Sequence, residues 1–224
     1  MFFKQIKALV WKDITSELRT KEMVSAMLIF SFLVIVIFSF AFDPTRETTK
    51  AVFPGVIWVG FSFAAILGLN RSFVSEKAND SIMGLMLCPA DRSVIYFGKV
   101  ISNFLFVGIM ELISLPVYFI LFDYRNVGSL PMLVVVILLS TIGFISVGTL
   151  LAALSANTRT SEILLPIILF PIILPVIIAA VESTSIILGT PSIIELKSWL
   201  GLIIAYDIIF IAVPFVLFDY VLEV

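Results

Sequence analysis

The chain contains no histidine and only one cysteine, Cys88, among its 224 residues. The absence of histidine removes the commonest protein metal ligand, the usual axial ligand of haem iron and the usual general base. A single cysteine excludes both an internal disulfide and a zinc site built from several thiolates. We therefore expect no catalytic site and no metal site in this chain.

Charged residues are also scarce. They make up 13% of the sequence, whereas 61% of the residues are hydrophobic, and the mean hydropathy is +1.18. Folded soluble proteins are about 45–50% apolar, so a soluble domain of this length could not bury so much apolar surface. No long basic stripe is present, which argues against nucleic acid as a partner. The composition predicts an integral membrane protein.

Nucleotide-binding and nucleophile motifs are missing as well. A phosphate-binding loop needs the pattern G-x-x-x-x-G-K-[S/T], and the Gly98-Lys99 pair has Ser93 where the first glycine should stand. The G-x-S-x-G turn of many hydrolases is absent. We therefore expect that the chain is not an enzyme and does not bind ATP itself.

Long apolar runs predict an all-α fold with six membrane-spanning helices, forming one transmembrane domain over residues 1–224. Each run is close to the ~20 residues that a helix needs to cross the hydrocarbon core. Residues 182–198 contain only short apolar pieces, and this pattern favours a re-entrant or interfacial hairpin. The predicted spans are about 23–42, 51–70, 100–122, 131–154, 162–181 and 199–218.

Residues 1–22 have the pattern of an amphipathic helix and not that of a signal peptide. Apolar residues recur there at helical spacing, and basic residues occupy most of the other positions. Such a helix is suited to the headgroup region, with its basic face toward anionic lipid. A cytoplasmic extension of the first span is the alternative. The apolar positions are Phe3, Ile6, Val10, Ile14 and Leu18.

Lysine and arginine are distributed unevenly between the two sides of the predicted bundle. Ten of the 14 fall in residues 1–22, in the loop 71–99 or in the loop 155–161, and four fall on the other side. Because basic loops remain in the cytoplasm, this asymmetry predicts that both termini and the loop 71–99 are cytoplasmic.

The loop 71–99 is the largest polar break in the chain. Within it, Asp80 and Ser81 precede a short apolar turn that Pro89 ends, a pattern typical of a short capped helix. An apolar turn framed by charges indicates a docking surface, and packing against the bilayer is the alternative. The candidate docking residues are Glu76, Asp80, Ser81, Ile82, Leu85, Met86, Leu87 and Pro89.

Two acidic residues, Glu111 and Asp207, fall inside predicted spans. A carboxylate at membrane depth costs at least about 2.5 kcal/mol on insertion scales, so each needs a partner, water or a proton. They indicate a transport pathway or a contact with a partner subunit. The alternative is that each acid closes a hydrogen-bond network between helices.

Small residues form a stripe on the second span. Gly60, Ala64 and Gly68 stand at positions i, i+4 and i+8. Such a stripe lets helix backbones approach closely in lipid, either within one chain or between two copies.

The fifth span contains three prolines, Pro166, Pro171 and Pro175. Each removes a backbone donor from the helix. The spacing therefore predicts a kinked or broken helix whose freed carbonyls are buried against neighbouring helices.

The order of these features resembles that of the permease subunits of ABC-2-type exporters. In that group the loop between the second and third spans carries an acidic residue, a Gly/Asp-Thr/Ser pair, a leucine-rich turn and a proline. Glu76, Asp80, Ser81, Leu85, Leu87 and Pro89 stand at those places. The resemblance implies that residues 76–89 form a coupling helix that sits in a groove of an ATPase subunit.

Within that group the chain is similar to the CcmB family, the haem exporter B proteins of bacterial cytochrome c maturation. The similar segments cover nearly the whole chain, and Asp80 stands where the group usually has glycine. The segments are P-G-V-I-W-V at 54–59, L-x-L-N-R-S-F at 67–73, D-S-I-x-x-L-M-L-x-P at 80–89 and L-P-I-I-L-F-P-I-I-L-P at 165–175.

This resemblance implies a location in the bacterial inner membrane and a set of partners. The expected partners are a CcmA-like ATPase that binds ATP, CcmC-like and CcmD-like haem-handling membrane subunits, a CcmE-like haem chaperone, and a second copy of the chain as an open alternative. ATP hydrolysis would drive haem export or release the haem-loaded chaperone, with haem as cargo and no cofactor bound by this chain.

Three other functions stay open. The first is an ABC-2-type permease for a lipid, a polysaccharide or a drug. The second is a scaffold that only assembles the complex. The third is a proton-coupled carrier that uses Glu111 and Asp207, and we rank it last because no internal repeat supports it.

Overall fold

A computed structural model describes residues 2–42, 47–78, 92–124, 128–156, 161–189 and 192–221 of the chain. These ranges contain seven α-helices and no β-strand. Six helices, α2 to α7, are long and apolar enough to cross a membrane, which confirms the prediction of an all-α fold with six spans. The helices are α1 (Phe2–Thr20), α2 (Glu22–Ala41), α3 (Glu47–Ala78), α4 (Arg92–Leu121), α5 (Leu130–Ala156), α6 (Ser161–Leu188) and α7 (Ile193–Val221).

Both ends of the predicted loop 71–99 are helical in the part that the structure describes, so its boundaries were wrong. Helix α3 continues to Ala78 and α4 already begins at Arg92. Charged residues such as Arg71 and Lys77 lowered the local hydropathy and were interpreted as a loop. A helix can continue past the apolar layer, because backbone hydrogen bonds hold it and its charged side chains can be solvated or paired there.

The prediction of a re-entrant or interfacial hairpin over residues 182–198 was also wrong. Helix α6 runs without interruption to Leu188, and α7 begins at Ile193. Thr184 is satisfied within this helix, because its hydroxyl donates to the Ala180 carbonyl at 2.7 Å and accepts from Trp58 Nε1 at 3.0 Å. The polar residues of this segment are thus accommodated inside a helix.

The three prolines of the fifth span lie within one continuous helix, α6. Of the two predicted alternatives, a kinked or a broken helix, the break was therefore wrong, and the kink stays a prediction. The side chains of Pro171 and Pro175 are exposed, and that of Pro166 is half-buried. The hydrogen bonds of the remaining residues in the same turns keep the helix intact.

Helices α3 and α5 form the centre of the bundle. In the most apolar part of each span, 72% of α3 and 56% of α5 is buried, compared with 28% of α2 and 22% of α7. Helix α3 contacts α2, α4, α5 and α6, and α5 contacts α3, α4, α6 and α7. The outer helices present exposed aliphatic residues, such as Ile29 and Ile208, at the surface where lipid is expected.

Helix α1 and the two helix ends that flank residues 79–91 lie at one end of the bundle, which we name the α1 end. Lys21 turns the chain between α1 and α2 in the left-handed conformation, with φ 55°. The Glu17 carboxylate then accepts the Val24 backbone N–H at 2.9 Å, which satisfies one of the unpaired donors at the start of α2. Arg71 of α3 pairs with Glu22 of α2 close by.

At the opposite end of the bundle, the segment that follows α4 covers the end of α6. Tyr124 Oη donates to the Leu188 carbonyl at 3.0 Å. Gly128 has φ +56°, and a Cβ atom there would overlap the Ile187 carbonyl oxygen. Glycine is therefore required at position 128 by both its conformation and its surroundings.

Candidate functional site

The predicted docking residues lie mostly outside the described ranges. Asp80, Ser81, Ile82, Leu85, Met86, Leu87 and Pro89 belong to the segment 79–91. Glu76 falls on the last turns of α3. The structure describes the two helices on either side of this segment: α3 ends at Ala78, and α4 begins at Arg92.

The start of α4 is fixed by a buried ion pair with α1. Lys99 Nζ lies 3.0 Å from Asp13 Oδ2, and the side chains of both residues are more than nine-tenths buried. The two groups are at ion-pair distance without the alignment of a hydrogen bond. Lys12, which is largely exposed, lies 3.2 Å from the other Asp13 oxygen.

Apolar contacts surround this ion pair and complete what we name the α1–α4 junction. Leu9 packs directly on Gly98, where a Cβ atom would overlap its side chain. The rings of Phe2 and Phe97 meet edge to face, with 6.3 Å between their centroids. The Gly98-Lys99 pair, which has no role in nucleotide binding, thus provides space and charge for docking α1.

The buried face of α1 differs from the apolar stripe predicted from its sequence. Ile6, Leu9 and Asp13 are buried, whereas Phe3 is 84% exposed and Leu18 is 68% exposed. The sequence interpretation placed Asp13 among the polar positions because it had no means of identifying Lys99 as its partner. Helix α1 therefore has one face docked on the bundle and a separate apolar edge available to lipid.

Glu111 is buried between α4 and α5. Its Oε1 atom accepts a hydrogen bond from Thr141 Oγ1 at 2.7 Å. The same side chain lines a small cavity between α3, α4 and α5, together with Ser62, Phe61 and Phe144. Glu111 and Thr141 thus connect α4 to α5 by a hydrogen bond. The sequence alone did not identify Thr141 as the partner.

Asp207 lies on α7 and packs against α5. A Cβ atom at Gly143 would overlap Asp207 Oδ1, so the glycine makes room for the carboxyl group. Neither carboxyl oxygen has a hydrogen-bond partner among the residues that the structure describes, although Asp207 is only 6% exposed. Its neighbour Tyr206 donates to the Ile172 carbonyl of α6 at 3.1 Å.

The two intramembrane acids do not share a site in this structure. Glu111 contacts Thr141, and Asp207 contacts Gly143, two positions further along α5. Residues two apart are about 200° apart around a helix, so the acids meet α5 on different faces. The carrier alternative that uses both acids stays a prediction.

The stripe of small residues on α3 serves packing within the chain. A Cβ atom at Gly60 would overlap the Tyr118 hydroxyl, and one at Gly68 would overlap the Met27 sulfur. Ala64, between them, is fully buried. The stripe therefore faces α2 and α4 and not a second copy.

The Tyr118 hydroxyl lies against Gly60, at a point where three helices meet. This hydroxyl donates to the Ser31 carbonyl at 3.0 Å and accepts from Ser31 Oγ at 3.2 Å. Helices α2, α3 and α4 meet at this point, which we name the Tyr118 node.

Further polar contacts join α4 to α5 toward the α1 end. Tyr96 Oη donates to the Ser146 carbonyl at 3.1 Å, and Asn103 Nδ2 donates to Thr149 Oγ1 at 3.2 Å. With Glu111 and Thr141, these pairs form a series of hydrogen bonds along the α4–α5 contact. No group of three or more metal-ligating side chains occurs in the ranges that the structure describes.

The chain is similar to known proteins over a region that includes parts of all seven helices. The sequence model of a family described as "CcmB protein" matches residues 4–221. Among the curated relatives, heme exporter protein B of Pseudomonas aeruginosa is 26% identical over 151 residues, which is 67% of both chains. The Paracoccus denitrificans protein of that name is 26% identical over 178 residues, 80% of this chain and 81% of the relative. Heme exporter protein B of Rhodobacter capsulatus is 24% identical over 177 residues, 79% of this chain and 81% of the relative.

Proposed function

Because the chain belongs to the CcmB protein family, we propose that it is the membrane permease subunit of a haem exporter driven by a separate ATPase. The family match over residues 4–221, on a bundle of six apolar helices, carries this proposal. The relatives named above are haem exporter proteins, so haem is the proposed substrate of the complex. Its role is then in cytochrome c maturation, with release of a haem-loaded chaperone.

The segment 76–89 is the proposed coupling element for the ATPase. The two helices that flank it are both held at the α1 end, α3 through Arg71 and Glu22 and α4 through Lys99 and Asp13. A displacement of the segment would therefore reach the Tyr118 node and Glu111 through two continuous helices. This rigid connection supports a role in transmitting motion.

The proposed location is the bacterial inner membrane, with the α1 end in the cytoplasm where ATP is available. The excess of lysine and arginine at that end supports the orientation. The exposed apolar edge of α1 then rests on the membrane, with its lysines near anionic headgroups. CcmC-like and CcmD-like subunits and a CcmE-like chaperone complete the proposed complex.

We place the ligand of the haem iron on another subunit. The chain has no histidine, the commonest axial ligand in haem proteins. Met23 and Met27 are buried in contact with Gly68, so their sulfur atoms belong to the core. The role left to this chain is to convert ATPase motion into a rearrangement of membrane helices.

The test is co-purification of the ATPase subunit with wild-type protein and with Leu85→Asp. If Leu85 occupies an apolar groove of the ATPase, aspartate costs on the order of several kcal/mol through lost burial and a desolvated charge. We expect the ATPase to be lost while the variant remains folded. Thr20→Asp is the matched control, because it adds the same charge at an exposed position of the α1 end.

Full retention of the ATPase by Leu85→Asp would exclude residues 76–89 as the coupling element. The substrate is tested separately by deleting the protein and measuring haem attachment to c-type cytochromes. Loss of attachment supports haem, and normal attachment points to a lipid, polysaccharide or drug as the cargo.

A further inference from the structure

The cavity beside Glu111 has the size and the polar lining of a site for one small polar molecule. The volume open to the centre of a water molecule is ≈ 10 Å³. A cavity needs about 10–15 Å³ by this measure to hold one water. By this measure the volume of the cavity is at the lower limit for a single water molecule.

Ser62 supplies the first polar group of this site. It lines the cavity from α3, it is only 4% exposed, and its Oγ atom has no hydrogen-bond partner in the described part of the chain. A buried hydroxyl without a partner costs about 1–3 kcal/mol, which a water molecule in contact with it would recover.

Glu111 and Thr141 supply the other polar groups. Thr141 donates to Glu111 Oε1, which leaves the second carboxyl oxygen able to accept a hydrogen bond from a ligand. The remaining walls are apolar and include the rings of Trp58, Phe61 and Phe144. Polar groups thus come from three different helices and meet in one small space.

We propose that this cavity binds one internal water molecule, held between the Ser62 hydroxyl and the Glu111 carboxyl group. The water links α3 to α4 and α5, a connection that no direct side-chain hydrogen bond makes at this level. A metal cation fits the site less well, because hard cations take six or more oxygen ligands and these three side chains offer at most four. The inference stands independently of the proposed transport function.

The site lies between the helices that bear the proposed coupling segment. Helix α3 precedes residues 79–91, and α4 follows them. A bound water can form and release hydrogen bonds with little cost, so it allows α3 and α4 to shift relative to each other at a point where a direct hydrogen bond would resist.

Radiolytic hydroxyl-radical labelling of the full-length protein in lipid nanodiscs tests the proposal. Radicals that form from a bound water oxidise the side chains beside it, even when these are buried. We expect oxidation of Phe61 and Phe144 and little or none of Phe53 and Phe122, which are equally buried but do not line the cavity.

Two variants complete the design. Ser62→Val removes the hydroxyl and fills space, and Ser102→Val alters another buried serine whose Oγ has no partner but which does not line the cavity.

We expect loss of oxidation at Phe61 and Phe144 in Ser62→Val and no change in Ser102→Val. Equal protection of Phe61, Phe144 and Phe122 in the wild type would show a dry cavity and overturn the proposal, even if Ser62→Val fails to fold. Unchanged oxidation in a folded Ser62→Val would also overturn it. Oxidation that disappears on adding sodium ions would identify a cation site instead.

Discussion

The packing at the Tyr118 node depends on the absence of a Cβ atom at Gly60 and on the position of the Tyr118 hydroxyl oxygen. Gly60 has no side chain, and the Tyr118 hydroxyl fills the place where a Cβ atom would stand. That hydroxyl is held in place by the backbone and side chain of Ser31. A methyl group at position 60 therefore has to displace a hydrogen-bonded group that connects three helices.

We expect Gly60→Ala to reduce the free energy of unfolding by about 1–3 kcal/mol, the usual cost of overpacking a core. In a Tyr118→Phe background the same substitution should cost less, because phenylalanine lacks the oxygen that the new methyl group would meet. Thermal unfolding of the four proteins in detergent gives the coupling between the two positions. Gly108→Ala is the control, since nothing lies within 4 Å of a Cβ atom there. Equal costs of Gly60→Ala in both backgrounds would contradict this account.

A second prediction at the scale of one residue concerns the carboxyl group of Asp207. Both of its oxygens lack a hydrogen bond to any residue in the described ranges, and a charged aspartate at membrane depth is costly. Asp207→Asn keeps the shape and removes the charge, so we expect unchanged or higher thermal stability in detergent. Asp207→Glu should lower it, because Gly143 leaves no room for a longer side chain. A clear loss of stability in Asp207→Asn would show that the carboxylate has a stabilising partner.

At the scale of one element, the α1–α4 junction determines the position of helix α1. Helix α1 has no span of its own, and its buried face is small, so the ion pair between Asp13 and Lys99 is a large part of what positions it. Removing one partner of a buried ion pair leaves an uncompensated charge and typically costs about 3–5 kcal/mol.

We therefore expect Asp13→Asn to release α1 from α4 while the six spanning helices remain folded. The measurement is cross-linking of Phe2→Cys to Phe97→Cys with a short thiol reagent in a Cys88→Ser background. The two rings are 6.3 Å apart in the docked state, so the cross-link should form in the parent and be lost in Asp13→Asn. Lys12→Met is the control, because it removes the exposed one of the two lysines beside Asp13 and leaves the buried Lys99 in place. Persistent cross-linking in Asp13→Asn would show that the apolar contacts suffice.

The orientation of the molecule in the membrane is a prediction at the largest scale. The proposed topology puts Thr20 on the cytoplasmic side and Ser129 on the other side, and both residues are exposed. In a Cys88→Ser background, we expect a membrane-impermeant thiol reagent to label Ser129→Cys in intact spheroplasts and Thr20→Cys only after permeabilisation. The reverse result would place the α1 end outside the cytoplasm and separate it from any cytoplasmic ATPase.

Hydropathy predicted the number and approximate position of the spans because each apolar run is long and nearly free of charge. It failed at the ends of helices, where polar residues are satisfied by backbone carbonyls, by water or by a distant partner. Thr184 and Arg71 are examples, since one bonds within its own helix and to Trp58, and the other pairs with α2. Such partners lie far away in the sequence and no local pattern identifies them.

The candidate site was predictable in its components and not in its connections. Glu111, Asp207 and the stripe from Gly60 to Gly68 were identified from residue type and spacing. Thr141, Tyr118 and Lys99 were missed as their partners, because these contacts depend on which helices are neighbours. One signal was available, since Lys99 is a lone cation inside an apolar run and Asp13 is one of few acids in a basic segment.

The docking of α1 has a consequence for biosynthesis. This helix is synthesised before Gly98 and Lys99, which receive it, and two spanning helices lie between them in the chain. During that interval Asp13 has no Lys99 to pair with, and the exposed apolar edge of α1 needs the membrane surface. We therefore expect α1 to rest on the membrane surface until α4 captures it, a step that marks the completion of the first half of the bundle.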